Sequence, residues 1–234
     1  MALEFSWWNV VPTLVGGAIS LATTYLMFNK TQSTEREKRE KENKKRLALS
    51  AFNGFRKLLE VSNGLENIKL HIDEGFEAAE KNGGLDLDPY IKILPFVGAR
   101  GIYKDLVSEE LFFLTKLKNS ELISELDVII RRARNNEVVI EKYSELRQDI
   151  NSFLETRIGT DTSADGTLVS GTIATSDKVV LDLRGGLLNN VLGTLMEHLE
   201  ADCVKARKIC SEYLEAAQAE YQDDFPKIKL EWTR

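Results

Sequence analysis

Between Phe5 and Asn29 the chain carries no charge, and its polar positions are sorted rather than scattered. On a helical wheel at roughly 100° per residue, Asn9, Thr13, Gly16, Gly17, Ser20, Thr23 and Thr24 share an arc of about 120°. Everything else from Trp7 to Phe28 is apolar or aromatic. About 22 residues at 1.5 Å rise give roughly 33 Å, close to the hydrocarbon thickness of a bilayer. Trp7 and Trp8 at one end, and Tyr25 and Lys30 at the other, stand where interfacial anchors belong. The pattern predicts a transmembrane helix over 7–29, preceded by a short N-terminus over 1–6, with one flank for lipid and one for protein or water. A cleaved signal peptide fits poorly: only Glu4 stands ahead of the run, and no small-residue cleavage site precedes the charges.

At Lys30 the pattern changes. Thr31–Arg46 holds no large apolar residue but four i,i+4 pairs with the acid first: Glu35/Arg39, Glu37/Lys41, Glu40/Lys44 and Glu42/Arg46. Each such pair adds a few tenths of a kcal/mol, and four together predict a solvated helical stalk over 30–46. At about 1.5 Å per residue it would hold the following domain some 25 Å from the bilayer. Its basic residues also offer a surface to anionic lipid, an alternative that the interleaved glutamates weaken.

From Ala48 helical periodicity returns. Ala48, Phe52, Phe55, Leu59, Leu65, Ile68, Ile72, Phe76 and Ala79 form an apolar stripe, and Asn82-Gly83-Gly84 supplies a stop. Asp88-Pro89 has the form of an N-cap followed by proline at the first helical position. A helix is predicted over Tyr103–Leu117. Another is predicted from a Ser120 cap along Leu122, Leu126, Ile129, Ala133, Ile140, Tyr143, Ile150 and Leu154. Leu188, Leu192, Leu195, Leu199, Cys203, Ala206, Cys210, Tyr213 and Ala217 make a second long stripe, so the two should pack as an antiparallel pair. Between them, 159–176 is rich in Gly, Ser, Thr and Asp. Thr167–Ile173 and Lys178–Leu183 could pair as a hairpin, the region could be a loop, or Ser176 could cap a helix running through Gly185-Gly186. Beyond the body at 47–224, the tail over 225–234 alternates Ile228, Leu230 and Trp232, as an extended segment docking on the body would.

Charge sets the orientation. No Lys or Arg precedes the apolar run, and eight follow it before Leu47. The positive-inside rule then puts the N-terminus outside and the body in the cytoplasm. Of the 31 Lys and Arg, 23 lie from Leu47 onward, against 32 of the 37 Asp and Glu, a net of −9. Such a body does not bind nucleic acid non-specifically. Two cysteines in a cytoplasmic domain imply no disulfide framework.

Candidate chemistry is sparse. Gly16-xxx-Ser20 permits close helix approach, and the polar flank is a candidate oligomer interface or pore lining; a dry packed bundle is the alternative. Arg131, Arg132 and Arg134 could hold an anion or nucleotide, or simply form a solvated face. Asp161-x-Ser163-x-Asp165-Gly166 resembles the start of a calcium loop, but Thr172 stands where a bidentate Glu is needed, which favours an ordinary loop. Cys203 and Cys210, about 10.5 Å apart along one helix face, cannot join each other and suit core positions. His71 and His198 have no catalytic partner in sequence, and no phosphate loop, nucleophile elbow or zinc-protease pair is present. No cofactor or metal is expected, and the function is expected to be non-catalytic.

The sequence therefore predicts an all-α protein: one N-terminal transmembrane helix, a helical stalk and a cytoplasmic antiparallel helical bundle. The expected partners are the lipid bilayer, further copies of the chain, and a cytoplasmic ligand or protein. The expected function is that of an effector gating a transmembrane pore, a design that suits a toxin-like or antiviral-defence role at a bacterial inner membrane. A passive tether or scaffold is the alternative.

Overall fold

The computed structural model describes residues 7–96, 101, 103–157, 161–162, 169–170 and 174–232, with side-chain surroundings from Thr23 onward outside 158–173. Its first element, α1, runs unbroken from Trp7 to Lys81. These 75 residues span roughly 112 Å at 1.5 Å each. The apolar run, the stalk and the first body helix are thus one rod. Within the stalk, Arg39 pairs with Glu35 at 3.6 Å as expected. Lys44 and Arg46 instead reach the body, to Asp224 at 3.6 Å and Glu109 at 3.4 Å. The rod ends at Asn82-Gly83-Gly84: Gly83 takes φ +76°, and the Gly84 amide donates back to Ala79 O at 2.8 Å.

A four-residue helix follows, α2 (Pro89–Lys92), whose preceding Asp88 makes no side-chain cap bond. The described residues 94–96 and 103–107, which carry no regular structure, precede α3 (Ser108–Lys116). The helix expected from Tyr103 starts only at Ser108, because its first residues are held open from both sides. The Lys57 ammonium donates to Asp105 O at 3.0 Å, Arg134 reaches the Asp105 carboxylate at 2.6 Å, and the Arg134 guanidinium lies 4.6 Å over the Tyr103 ring. This strap lies between α1 and α4 (Ser120–Arg157). Helix α4 is capped by Asn119 rather than by Ser120: the Asn119 side chain accepts the Leu122 amide at 3.1 Å.

Past Arg157, β1 (Asp161–Thr162) pairs antiparallel with β2 (Val169–Ser170), the one strand pairing among the described residues. Helix α5 (Thr175–Tyr221) then runs through Gly185-Gly186, so Lys178–Leu183 is helix and not a hairpin strand. Helix wins there because Leu188 and Leu192 continue an interior stripe, and because Gly185 lets Tyr90 approach: a β-carbon on it would lie 2.6 Å from the Tyr90 ring.

Helix α5 is the centre of the body and lies antiparallel to both other long helices. It meets α1 through Arg207–Glu66 at 2.6 Å, and α4 through Lys205–Glu125 at 3.3 Å and Arg157–Asp177 at 3.0 Å. The core they enclose is aliphatic and aromatic, including Phe55, Leu65, Phe113, Ile129, Tyr143, Leu192 and Tyr213. After a short turn at Gln222–Asp224 the tail docks on this bundle. Phe225 meets Phe52 edge-on at 6.0 Å, the Gln218 amide donates to Ile228 O at 3.0 Å, and Ile228, Leu230 and Trp232 pack half-buried.

Candidate functional site

The membrane-facing candidates divide between two regions of α1. The side chains of Trp7, Trp8, Asn9, Thr13, Gly16, Gly17 and Ser20 lie outside the described residues. Thr23, Thr24, Tyr25 and Lys30 are exposed on the rod. Tyr25, Leu26, Met27 and Phe28 are 58–67% exposed. Four successive helical residues point in nearly all directions, so this end of the rod offers apolar surface almost all round. Among the described residues no helix is long and apolar enough to cross a membrane.

The three arginines proposed for a ligand do not converge. Arg131 pairs with Asp127 on its own helix. Arg132 pairs across the bundle with Asp202, which is buried. Arg134 is occupied by the strap, through Asp105 and Tyr103. Each guanidinium serves a different carboxylate, and all three act in holding α4 to itself, to α5 or to the strap. His198 is exposed on α5, and no contact joins it to His71 among the described residues. Cys203 and Cys210 are buried free thiols whose pKa is pushed up to about 12, chiefly by desolvation, which makes them poor nucleophiles. Of the calcium-like loop only Asp161 and Thr162 are described, and they lie in β1. No group of metal-ligating side chains occurs among the described residues.

A cavity that sequence reasoning missed opens at the other end of the rod. It measures about 510 Å³ and lies between the last turns of α1 and the 85–94 segment. Gly75, Ala78 and Ala79 make its floor, and Leu87, Ile91 and Leu94 its walls. The floor is low because these positions carry almost no side chain. Gly75 also admits the α2 backbone, since a β-carbon there would lie 3.0 Å from Lys92 O. The rim is polar, with His71, Glu74, Asn82 and Lys92. The His71 Nε2 donates to Leu94 O at 3.0 Å, and its ring lies 4.6 Å from that of Phe96, which fixes the imidazole at the edge. The Lys92 ammonium donates to Leu85 O at 2.7 Å and sits 5.7 Å over the Phe76 ring.

This is the usual form of a small-molecule site: an apolar concavity with a few directed polar groups, within the 300–1,000 Å³ common for ligands. Its walls are 47%, 39% and 65% exposed at Leu87, Ile91 and Leu94, so an occupant would remove apolar surface from water. A sequence signal existed. Gly75, Ala78 and Ala79 interrupt the large-residue stripe on the last turns of α1, which marks a place where something approaches closely.

No protein-family model matches the chain, and no curated protein or solved structure matches it either.

Proposed function

We propose that this protein is a homo-oligomeric single-pass membrane effector, with the helical body as receiver and the first 29 residues as output. The observation that carries this reading is the continuity of α1 from Trp7 to Lys81. One end of that rod is the uncharged run with its segregated hydroxyls. The other end is the floor of the distal cavity, and the stretch between contributes Ala48 to Ile72 to the core. A ligand or partner that shifts the 85–94 segment against α1 would tilt or turn the rod, because α1 runs unbroken from the cavity floor through the stalk. The apolar girdle at Tyr25–Phe28 supports insertion in lipid, with the following basic residues in the cytoplasm. Sister copies would face one another through Asn9, Thr13, Gly16, Gly17, Ser20, Thr23 and Thr24, and the output would be a water-filled path along those groups.

The experiment is release of a trapped dye from liposomes holding the full chain, with a Thr13→Leu/Ser20→Leu/Thr24→Leu variant beside it. Leakage with the natural chain and none with the variant is expected. Tight vesicles with both, even with candidate activators present, would remove the pore and leave a tether, whose function would survive exchange of residues 7–28 for an unrelated dimerising span.

A further inference from the structure

We infer that residues 222–232 form a strained latch, which holds the point where the stalk enters the body and opens as a unit ahead of the bundle. Gln222, directly after α5, has φ +49° and ψ −116°. That is close to the first central position of a type II′ turn, a backbone that suits glycine and strains a residue with a β-carbon. The Gln222 side chain is exposed, so no packing of its own asks for this conformation. Docking on either side imposes it. The Gln222 amide still donates to Gln218 O in the last turn of α5, and three residues later Phe225 is buried against Phe52. The chain has to reverse between these two fixed points.

Beyond the reversal the tail is fastened through side chains. Among the described residues, nothing after Phe225 makes a backbone–backbone hydrogen bond. The Gln218 amide donates to Pro226 O at 3.3 Å and Ile228 O at 3.0 Å, and the Trp232 indole donates to Ser211 Oγ at 3.4 Å. A segment held in this way opens more readily than the helices beneath it. Its outer end also covers unmet polar groups. Lys229–Trp232 form one wall of a cavity of about 520 Å³, and Glu66 and Arg207 belong to the opposite wall. The Arg207 guanidinium lies 5.9 Å from the Trp232 ring. Glu66 Oε1 and Arg207 Nε are buried and have no hydrogen-bond partner among the described residues. Water admitted as the tail lifts would bond to them, which offsets part of the cost of opening.

The latch acts on the root of the rod. Phe225 packs on Phe52, and Asp224 meets Lys44 at 3.6 Å, both on α1 where the stalk joins the body. Docked, these contacts resist movement of α1 against α5; undocked, they are gone. The consequence for output rests on the membrane reading above.

The test is brief trypsin digestion of the full chain in liposomes, counting the peptides 228–234 and 230–234 by mass. Cleavage after the exposed Lys227 and Lys229 requires the tail to lift, so the rate follows the open population. Trp232→Ala should speed release several-fold. Gln222→Gly should slow it several-fold, because glycine removes the strain of the closed hinge. At an unstrained hinge glycine would only loosen the chain, so unchanged or faster release from Gln222→Gly overturns the latch. Dye release from the same vesicles should follow the same order, lowest with Gln222→Gly and highest with Trp232→Ala. Equal leakage from three proteins that all leak overturns the hold on the rod. No leakage from any of them removes the pore reading, while the order of tail release still decides the latch.

Discussion

The hydroxyl of Tyr213 fills the space that a β-carbon would take at Gly54. The tyrosine comes from the far end of α5 and the glycine from α1, 159 positions earlier. At that crossing the hydroxyl is within bonding distance of two backbone carbonyls, donating to Glu110 O at 2.6 Å with Ala51 O at 3.1 Å. The ring stands edge-on to Phe113, 5.0 Å away. One side chain thereby ties α1, α3 and α5 at the stalk end of the body.

Gly54→Ala should therefore destabilise, although alanine is the better helix former. Overpacking costs about 1–3 kcal/mol, against roughly 1 kcal/mol gained from propensity. Tyr213→Phe alone should cost about 1 kcal/mol, because it leaves buried carbonyls short of a donor. The double variant should cost less than the two singles together, since removing the hydroxyl opens the space the new methyl needs. Urea unfolding of all four proteins measures this coupling, and strict additivity would refute the shared space.

The strap is held by α4 as a hydrogen-bonded edge. Tyr143, fully buried, donates to Ile93 O at 2.8 Å, and Ser144 accepts the Phe96 amide at 3.2 Å. Tyr143→Phe should cost about 1 kcal/mol and free the strap before the bundle. Hydrogen exchange should then accelerate over residues 93–96 and 103–107, with little change in the core of α5. Uniform acceleration would mean that strap and bundle open as one unit.

Alkaline pH should unfold the body. Burial is the largest cause that pushes Cys203 and Cys210 from 9.0, and Tyr143 and Tyr221 from 10.0, up to about 12. Burial raises Tyr213 as well. Each group is neutral when protonated, and the folded state holds the proton more tightly than the unfolded chain. Their contribution is thus complete below about pH 9 and is lost as the pH climbs through the folded values near 12. Urea midpoints should hold up to about pH 9 and then fall, more shallowly in a Cys203→Ala/Cys210→Ala variant. A steep fall between pH 6 and 8 would contradict this assignment.

Periodicity made the long helices legible because their stripes bury one face over many turns. The end of α1 follows from Asn82-Gly83-Gly84, whereas the cap of α4 is Asn119 rather than Ser120, and pattern alone leaves the start of α5 open between strand, loop and helix. What escaped the sequence are features made by approach from elsewhere. Residues 103–107 have helical composition, yet Lys57 and Arg134 draw them out straight. Arg131, Arg132 and Arg134 look like a cluster in sequence, but successive helical positions diverge by about 100°, and each finds its own carboxylate. The distal cavity is invisible for the same reason: its floor and walls come from segments joined only by the turn at Asn82–Gly84.

If α1 transmits movement, a break in it should uncouple the body from the span without unfolding either. Glu40 lies in the exposed stalk, so Glu40→Pro removes no buried contact of the body. Proline inside a helix deletes one backbone bond and clashes with the preceding turn, costing about 3 kcal/mol locally and producing a kink. The body should keep its thermal transition and the chain its membrane association, while dye release from liposomes falls to the level of empty vesicles. Glu40→Ala, which preserves the rod, should behave as the natural chain. Full release from the proline variant would mean that the stalk is only a spacer, and that the span responds to something other than the helix it continues.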